Sequence, residues 1–360
     1  MKLTVLVSPL NWGLGHATRC VPIIRLLLAK DCRVIICGSG NSLIMLKAEF
    51  PQLEYEVIAE YNIKYSKNKS LFALKLLFQL PLFYIGKIKE TVFLKKIVAK
   101  YSPDIIISDN RYGFYNKNAY SVLITHQIKP MLPAGFKWLQ PLFWRILSFW
   151  LKPFDEIWIP DYSDNGLAGK LSETIKNSKY KYCGLLSRFK GLEVIDENYR
   201  ADVLIILSGP EPQRTIFEKL CRQSLPIGNK KVVMVLGSPN NKTNEINSTN
   251  YNVFSHLPTE ELSKFISNAS LIISRSGYSS IMDYLVLGKK AILVPTPGQT
   301  EQEYLAEYHF KRGNFLFIPQ NKFNLIEAIR RAEENMSIKP TSKYNLIIES
   351  IVDDLLLGLL

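Results

Sequence analysis

Short apolar runs with a β-strand pattern alternate with helical patterns along nearly all of this 360-residue chain. Such alternation is typical of βα units, in which helices cover both faces of a parallel sheet. At ~150 residues per domain, the length fits two domains. The sequence therefore predicts an α/β fold made of two doubly wound domains. The predicted strands lie near residues 3–8, 32–37, 53–58, 104–108, 120–124, 156–159, 202–207, 231–236, 251–254, 271–274, 291–294 and 315–318.

A polar stretch, Asp161–Lys181, separates the two halves and is predicted to be the linker. We therefore expect an N-terminal domain over residues 1–162 and a C-terminal domain over residues 163–340. The last segment, 341–360, turns apolar and is predicted to form a helix that packs back on the first domain. Ligands of doubly wound sheets bind beyond the carboxyl ends of the strands, so the loops after the strands are the candidate sites.

The cysteine and histidine content indicates a reduced compartment and no zinc framework. The five cysteines include no C-x-x-C pair, and the four histidines are scattered. The apolar run at the amino terminus is too short for a signal-peptide core, and no run of about 18 apolar residues is present. These features predict a cytoplasmic protein without a spanning helix.

Positive charge is concentrated in two segments of the predicted first domain. The chain carries a net charge of +13, and residues 61–100 contain nine lysines and one acid, Glu90, so they supply +8 of it. Residues 129–154 contain four basic residues, no acid, and three of the five tryptophans. Such an excess requires an anionic partner, and nucleic acid, an anionic membrane and a phosphorylated substrate are the candidates.

The aromatic part of the second segment, residues 136–154, has two interpretations. In one, apolar residues at helical spacing form the buried face of a core helix. In the other, they form an interfacial membrane patch whose basic residues face lipid phosphates. Aromatic residues on two sides exceed what one core face requires, which favours the membrane, and the absence of a recognised motif disfavours nucleic acid. The residues of the predicted core face are Leu139, Leu142, Phe143, Ile146, Leu147 and Trp150.

The first predicted strand is followed by the glycine loop NWGLGHATR. Gly13 and Gly15 permit a tight turn, and the next helix presents its N–H groups. The loop is not a dinucleotide fingerprint, because Thr18 replaces the third glycine and the second strand ends without an acid. A lone histidine is usually structural, but His16 lies between two glycines and a helix start and is therefore a candidate base.

Two segments of the second half have the pattern of a strand followed by a small-residue turn and a helix. The weaker is LSGPEPQRT, which contains Ser208 and Gly209 and suits a polar or anionic ligand, although an ordinary loop explains it equally well. The stronger runs from Leu271 to Gly313. It contains an R-S-G turn, a helix bearing an acid, a second strand, and a loop followed by Gln-Glu. A helix start for phosphates, an acid for a ribose diol and polar groups for hydroxyls outline a nucleotide-sugar site.

This segment resembles the donor-binding half of GT-B glycosyltransferases of the lipid II synthase and monogalactosyldiacylglycerol synthase type. The resemblance implies two Rossmann-like domains that face an inter-domain crevice. Asp283 stands where the family has a glutamate on the ribose hydroxyls, and Glu303 replaces the second of two sugar-contacting glutamines. The matching donor residues are Arg275, Ser276, Gly277 and Gln302, with Ser208 and Gly209 as the second glycine loop and Gly13, Gly15 and His16 as the first.

Two further motifs, SDNRYG (Ser108–Gly113) and THQ (Thr125–Gln127), resemble a less studied bacterial branch of predicted glycosyltransferases, which also shares GLGHATR. Both motifs follow predicted strands of the first domain. Asp109 is the rival of His16 as the base. We expect the acceptor side of the crevice to include Asn110, Arg111, His126 and Gln127.

The resemblance implies an inverting, metal-independent glycosyltransferase that uses a nucleotide-diphosphate sugar, most simply a UDP-sugar, as substrate and needs no cofactor. The acceptor is expected to be a lipid or lipid-linked molecule at the inner face of the cytoplasmic membrane. The helix starts after Gly209 and Ser276, assisted by Arg275, are expected to stabilise the departing diphosphate.

Two alternatives to a glycosyltransferase stay open. One is a UDP-sugar 2-epimerase, which shares the two-domain architecture and the donor. The other is a non-catalytic, membrane-docked subunit that binds a donor or a lipid.

Overall fold

Two seven-stranded sheets form the framework of the protein, one in each of two compact units. The first unit runs to Leu186 and includes the C-terminal helix, and the second begins at Ser187. The computed structural model describes residues 2–59, 80–132, 134–174, 177–192, 194–238, 246–335 and 347–359.

The first sheet is parallel throughout. Its strands are β1 (Thr4–Pro9), β2 (Arg33–Gly38), β3 (Glu54–Val57), β4 (Ile105–Asp109), β5 (Tyr120–Ile124), β6 (Glu156–Ile159) and β7 (Tyr180–Tyr182). The order across the sheet is β3-β2-β1-β4-β5-β6-β7. The helices of this unit are α1 (Gly15–Ala29), α2 (Gly40–Glu49), α3 (Leu80–Tyr101), α4 (Gln140–Leu151) and the C-terminal helix (Ile347–Leu357), with 3₁₀ turns at Ala134–Leu139 and Gly169–Leu171.

The second sheet is parallel except for one antiparallel edge pair. Its strands are β8 (Ala201–Ile206), β9 (Val232–Val235), β10 (Ile246–Asn247), β11 (Tyr251–Phe254), β12 (Ala269–Ser274), β13 (Ala291–Leu293) and β14 (Leu316–Phe317). The order is β10-β11-β9-β8-β12-β13-β14, and only β10 runs against its neighbour. The helices are α5 (Gln213–Arg222), α6 (Thr259–Asn268), α7 (Tyr278–Val286), α8 (Thr300–Lys311) and α9 (Leu325–Asn335), with 3₁₀ turns at Glu197–Tyr199 and Gln320–Lys322.

The central strands of the first sheet are apolar on both faces because helices cover both faces. On β1, Val5 and Val7 pack on one face in the cluster that contains α1 and the C-terminal helix. Leu6, which points the other way, packs in the cluster that contains Leu94 and Ile97 of α3. This burial fixes the positions of β1 and β4, so that the loops at their carboxyl ends lie side by side.

The predicted fold class is confirmed: each of the predicted strands is present within two residues of its expected ends. The strands β7 and β10 were not predicted, because three and two residues are too few to show a period-2 pattern.

The expected domain boundary after residue 162 is wrong, since the units divide after Leu186. The Asp161–Lys181 stretch is not a linker. The buried carboxylate of Asp161 accepts the N–H groups of Leu167 (2.6 Å) and Ala168 (3.0 Å), and β7 extends the first sheet beside β6. A buried carboxylate requires such donors. The polar residues of this stretch therefore hold a loop onto the first unit.

Candidate functional site

The glycine loop at the end of β1 places His16 at the carboxyl edge of the first sheet. Gly13 has a φ of +88°, a conformation that side-chain-bearing residues rarely adopt, so the turn requires glycine there. Asn11 Oδ1 accepts the N–H of Ser42 at 3.1 Å, which ties the loop to α2. Gly15 then begins α1, and His16 lies in its first turn.

The two candidate bases, His16 and Asp109, are hydrogen-bonded to each other. His16 Nδ1 lies 2.7 Å from Asp109 Oδ1. Arg19, which the sequence analysis did not assign to the site, donates to both oxygens of this carboxylate, from Nε to Oδ2 at 3.0 Å and from Nη2 to Oδ1 at 2.6 Å. Arg19 Nη1 also lies 2.7 Å from His126 Nδ1. The fold therefore brings α1 and the ends of β4 and β5 together around one carboxylate.

The surroundings of Asp109 decide which of the two candidates can take a proton from a substrate. Burial of the carboxyl group favours its neutral form, but Arg19 and His16 together outweigh burial and hold the pKa of Asp109 below its ordinary value. The side chain of Asp109 is 0% exposed, whereas that of His16 is 13% exposed. Asp109 is therefore placed to orient His16 rather than to compete with it.

Two contacts meet at His16 Nδ1 and bear on which ring nitrogen is basic. The ionised carboxylate of Asp109 can only accept, which favours a hydrogen on Nδ1, whereas Arg19 Nη2, at 2.8 Å, can only donate, which favours a lone pair there. In the tautomer with the hydrogen on Nδ1, the lone pair is on Nε2, which can then take a proton.

Asn110 and Gln127 lie at the same edge of the sheet. Asn110 has a φ of 54°, and its buried Oδ1 has no hydrogen-bond partner among the residues that the structure describes. The backbone N–H of Gln127 donates to Thr125 Oγ1 at 3.1 Å, and its side chain is partly exposed. The unpaired oxygen of Asn110 makes it the better candidate for a contact with a substrate hydroxyl.

The expected role of Arg111 on the acceptor side is wrong. Its guanidinium is buried and donates to Pro9 O at 2.9 Å and to Glu90 Oε1 at 3.0 Å. The second oxygen of Glu90 accepts the N–H of Gly113 at 3.0 Å. Arg111 therefore fastens the loop after β4 to α3 and does not reach a ligand.

In the second unit, the Ser208-Gly209 turn lies beside the loop after β13. Ser208 is exposed, and Gly209 has a φ of +99°. A Cβ atom on Gly209 would lie 3.6 Å from Thr296 Oγ1. Thr296 is 2% exposed, yet neither its Oγ1 nor the buried Oε1 of Gln299 has a hydrogen-bond partner in the described part of the chain. Neither Thr296 nor Gln299 was predicted to be a site residue from the sequence. The signal that could have indicated them is the Pro-, Gly- and Gln-rich composition of the loop after β13.

The helix start after Gly209 is a poor site for a diphosphate. The Glu211 carboxylate accepts the N–H of Thr215 at 3.3 Å and is paired with Arg214 at 2.5 Å. A carboxylate at a helix start already occupies the favourable position for negative charge. The expectation that this helix stabilises the departing diphosphate is therefore not supported.

Arg275 is held in the interior by backbone carbonyls, although its buried Nε has no hydrogen-bond partner among the described residues. It is 1% exposed, and burial lowers the pKa of its guanidinium to about 10. Nη1 donates to the carbonyls of Val294 and Pro295, both at 3.2 Å, and Nη2 donates to that of Gln213 at 2.7 Å. The guanidinium also lies 4.4 Å from the centre of the Phe217 ring. Arg275 therefore joins α5 to the end of β13.

Ser276 and Gly277 form the start of α7. The buried Ser276 Oγ donates to the carbonyl of Gln302 at 2.8 Å, which fixes α8 beside this turn. No side chain caps α7 at Gly277, and its first turn has no acid. Gly277 has a φ of −68°, and a Cβ there would meet only Ser280 Oγ at 4.0 Å, so neither backbone nor packing requires glycine. The open space above this helix start fits the close approach of a phosphate group.

Asp283, on α7, is 8% exposed. Its Oδ1 accepts a hydrogen bond from Ser187 Oγ at 2.6 Å, and among the described residues Oδ2 accepts none. Burial raises the pKa of this carboxyl group to about 7, although Arg188 and Ser187 act in the opposite direction. Asp283 therefore changes its charge near neutral pH.

Gln302 and Glu303 turn back on the loop before α8. Gln302 Oε1 accepts the N–H of Thr296 at 2.8 Å, and Glu303 Oε1 accepts that of Gly298 at 3.1 Å. The Nε2 group of Gln302 has no hydrogen bond to any described residue, so it is the group here that can reach a sugar hydroxyl.

No group of three or more His, Cys, Asp or Glu side chains that could hold a metal ion occurs within the described ranges of the chain.

Comparisons with known proteins relate the second unit to a protein family and the whole chain to solved structures. Residues 209–353 match the glycosyltransferase family 28 C-terminal domain. A UDP-N-acetylglucosamine--N-acetylmuramyl-(pentapeptide) pyrophosphoryl-undecaprenol N-acetylglucosamine transferase of Clostridium botulinum (strain Alaska E43 / Type E3) is 27% identical over 188 residues, 46% of this chain and 50% of that protein. The enzyme of the same name from Prochlorococcus marinus (strain MIT 9312) is 28% identical over 192 residues, 49% of this chain and 52% of that protein. The chain thus matches about half the length of these curated relatives.

Solved structures share the fold over the full chain. The glycotransferase of kitacinnamycin has a TM-score of 0.66 at 14% identity, with 100% of both chains covered. The UDP-GlcNAc 2-epimerase from Neisseria meningitidis has a TM-score of 0.61 at 14% identity, with 99% of this chain and 100% of that chain covered. Identities this low show the fold alone. They confirm the GT-B fold class. The family 28 domain and the curated relatives confirm the resemblance to glycosyltransferases of the lipid II synthase type.

Proposed function

We propose that this chain is an inverting, metal-independent glycosyltransferase that moves a sugar from a UDP-sugar to a lipid or lipid-linked acceptor at the inner face of the cytoplasmic membrane. The observation that carries the proposal is the partly exposed His16 held by the buried carboxylate of Asp109. The family 28 match over residues 209–353 supports a transferase with a nucleotide-sugar donor. The curated relatives are named for a UDP-N-acetylglucosamine donor and an undecaprenol-linked acceptor, which supports both substrate classes.

The donor groups are those of the second unit that have hydrogen-bonding capacity left over. The start of α7 at Gly277 receives the diphosphate, and Asp283 Oδ2 accepts from the ribose hydroxyls. Gln302 Nε2, Thr296 Oγ1 and Gln299 Oε1 bind hydroxyl or amide groups of the sugar. A buried polar atom without a partner costs free energy, so a ligand that pairs with it gains affinity and selectivity.

The chemical step is a single displacement at the anomeric carbon. His16 Nε2 takes the proton of the acceptor hydroxyl while that oxygen forms its bond to the carbon. The bond to the diphosphate oxygen breaks, and the electron pair leaves with the UDP. Attack from the face opposite the leaving group inverts the anomeric centre. Asp109 stabilises the imidazolium that forms, and the positive end of α7 stabilises the negative charge on the diphosphate.

The fold does not exclude the UDP-sugar 2-epimerase, because a solved epimerase shares it. The two functions differ in what they require beside the donor. An epimerase converts the UDP-sugar without an acceptor, whereas a transferase releases UDP only when an acceptor is present. A non-catalytic subunit binds the donor and does neither.

The membrane part of the proposal is based on the outward faces of α3 and α4. Only Leu147 of the predicted core face of α4 is buried, so the core-helix interpretation is wrong for that face. Leu142 (56%), Ile146 (41%) and Phe149 (65%) are exposed at helical spacing, and Trp138, just before α4, is 75% exposed. This apolar stripe and the exposed Lys137, Arg145 and Lys152 have the composition of an interfacial membrane patch.

The outward face of α3 continues this surface. Lys87 Nζ lies 5.2 Å from the centre of the Trp150 ring, which places α3 beside α4. The apolar residues exposed on α3 are Tyr84, Ile85, Ile88 and Val92, and the exposed lysines include Lys89, Lys95 and Lys96. The rest of the Lys-rich segment, residues 60–79, lies outside the described residues. In the described part of the chain, no helix is long and apolar enough to cross a bilayer.

The first prediction concerns Asp283 and the donor. Because burial raises the pKa of Asp283 to about 7, only about a tenth of the carboxyl groups are ionised at pH 6, and the ionised form is the stronger acceptor for a diol. The affinity for UDP-N-acetylglucosamine should therefore rise by up to about tenfold between pH 6 and pH 8. Asp283→Asn should raise the dissociation constant at least about tenfold at pH 8 and abolish this pH dependence.

Isothermal titration calorimetry at the two pH values measures both effects. Glu307→Gln, which removes an exposed carboxylate of α8 that is paired with Lys311, is the matched control and should change neither. A folded Asp283→Asn protein with wild-type affinity and pH dependence contradicts the ribose assignment. A thermal-shift panel of UDP-, GDP- and dTDP-sugars identifies the nucleotide.

The second prediction concerns His16 as the base. His16→Ala should lower the rate of UDP release with a membrane-lipid extract as the acceptor source by ~10²–10⁴ at saturating donor, since the proton of the hydroxyl then has no acceptor. The dissociation constant of the donor should stay unchanged, because the groups assigned to the donor lie in the second unit. A folded variant with near-normal turnover would show that the base lies elsewhere.

The third prediction concerns the membrane. The protein should bind vesicles that contain anionic phosphatidylglycerol, bind neutral phosphatidylcholine vesicles poorly, and be released only partly by high salt. Each lysine near an anionic surface contributes about 1 kcal/mol, so the triple variant Lys89→Glu, Lys95→Glu, Lys96→Glu should weaken binding by at least on the order of a hundredfold. The triple variant Trp138→Ser, Leu142→Ser, Phe149→Ser should lose the part of the binding that resists salt.

The matched control for this experiment is a set of three exposed lysines of the second unit, Lys190, Lys290 and Lys322. Replacing them by glutamate changes the net charge equally and should leave vesicle binding in place. Equal loss in both lysine variants, or no preference for anionic vesicles, would exclude a localised membrane surface.

A further inference from the structure

Arg19 is a fully buried cation that contacts three ionisable side chains. The residue is 1% exposed. Its Nε and Nη2 donate to the two oxygens of Asp109. Nη2 also lies 2.8 Å from His16 Nδ1, and Nη1 lies 2.7 Å from His126 Nδ1. One guanidinium thus touches the carboxylate and both histidines of the network.

The planar guanidinium can make these contacts at once, and the smaller ammonium of a lysine cannot. Its N–H groups point outward in a fixed fork, two of them toward the two oxygens of a carboxylate and others to the sides. An ammonium group retains the charge but has no such fork. The arrangement around Asp109 therefore depends on the shape of Arg19 as well as on its charge.

The other titratable groups around this network keep their protons at neutral pH. They come from three different elements: Cys20 of α1, Tyr112 of the loop after β4, and Cys183 after β7. Burial raises the pKa of both thiols and, as the largest cause, raises that of Tyr112 to about 12. Besides these groups and Asp109, the network contains the two imidazoles of His16 and His126.

We propose that Arg19 is a positioning residue that couples His16 and His126 through the Asp109 carboxylate. Its guanidinium lies within hydrogen-bond distance of a ring nitrogen of each histidine. Asp109 is retained as the hydrogen-bond acceptor of His16. Protonation of His126 then changes the position of Arg19. Because Arg19 also contacts His16, this change alters the proton affinity of His16. The inference rests on the proposed function of His16 as the base.

The test separates the charge of Arg19 from its shape with two variants. Arg19→Met removes the charge, so the pH midpoints of the imidazole titrations of His16 and His126 should both rise by about one pH unit or more. The acid limb of the turnover profile should move by the same amount. Arg19→Lys retains the charge, so the midpoints should stay in place while the turnover rate falls at least about tenfold because the fork is lost.

The titrations are followed by NMR of the imidazole ring protons, since the chain has four histidines and single substitutions assign them. Glu90→Gln is the matched control, because it breaks another buried ion pair of the first unit, with Arg111. It should lower the melting temperature without moving the midpoints or the acid limb. Unchanged midpoints in Arg19→Met, or an equal shift in Glu90→Gln, would overturn the proposal.

Two further measurements keep the test decisive. If Arg19→Met does not fold, the wild-type titration of His16 should show a second inflection at the midpoint of His126, and His126→Asn should remove it. A single-step titration of His16 in the wild type would then overturn the coupling. If the wild type shows no turnover with any acceptor, the proposed function fails, while the NMR titrations still decide the role of Arg19.

Discussion

The ion pair between Arg19 and Asp109 is the interaction on which the candidate site of the first unit depends. Taking both charges out of water is costly, and the cost is offset only because the guanidinium meets both carboxylate oxygens. Removing either partner would leave the other charge buried and alone. The pair therefore locks α1 to the end of β4. It holds His16 at the surface with one ring nitrogen bound and the other available for chemistry.

Several buried arginines connect different elements of this protein. The residues with which they pair determine whether they contribute to chemistry or to the fold. Arg111 is paired with Glu90, and Arg275 donates to three backbone carbonyls. Neither is bonded to a histidine in these contacts. The acceptors of Arg275 in these contacts are backbone carbonyls, which do not titrate. The network of Arg19 differs because it contacts two imidazoles, the side chains that serve most often as general bases.

The strands and the loops of the candidate site could be predicted because both follow from local pattern. Buried parallel strands are apolar runs, and their carboxyl ends identify the loops. The direction of a side chain within such a loop could not be predicted. Arg111 and Arg275 belong to motifs that are matched by sequence, yet both side chains point into the interior. There they donate hydrogen bonds to residues that are distant in sequence, Glu90 for Arg111 and Gln213 for Arg275. Pairings between distant residues leave no periodic signal, which is also why Arg19 was missed.

Some residues of this protein are not explained by its fold, and these carry most information about its ligands. The inner face of α4 packs Leu147 and Leu151 against the first sheet, which suffices to hold the helix. Substitution of Trp138 and Phe149 by polar residues would leave that packing intact, because both side chains extend into solvent. The same reasoning applies to Gly277, where a Cβ would meet no obstacle and the backbone is unstrained. Exposed apolar side chains do not add to the stability of the folded protein. A glycine that the backbone does not require lowers it. The proposed membrane surface and the proposed donor phosphate would each cover one of these features.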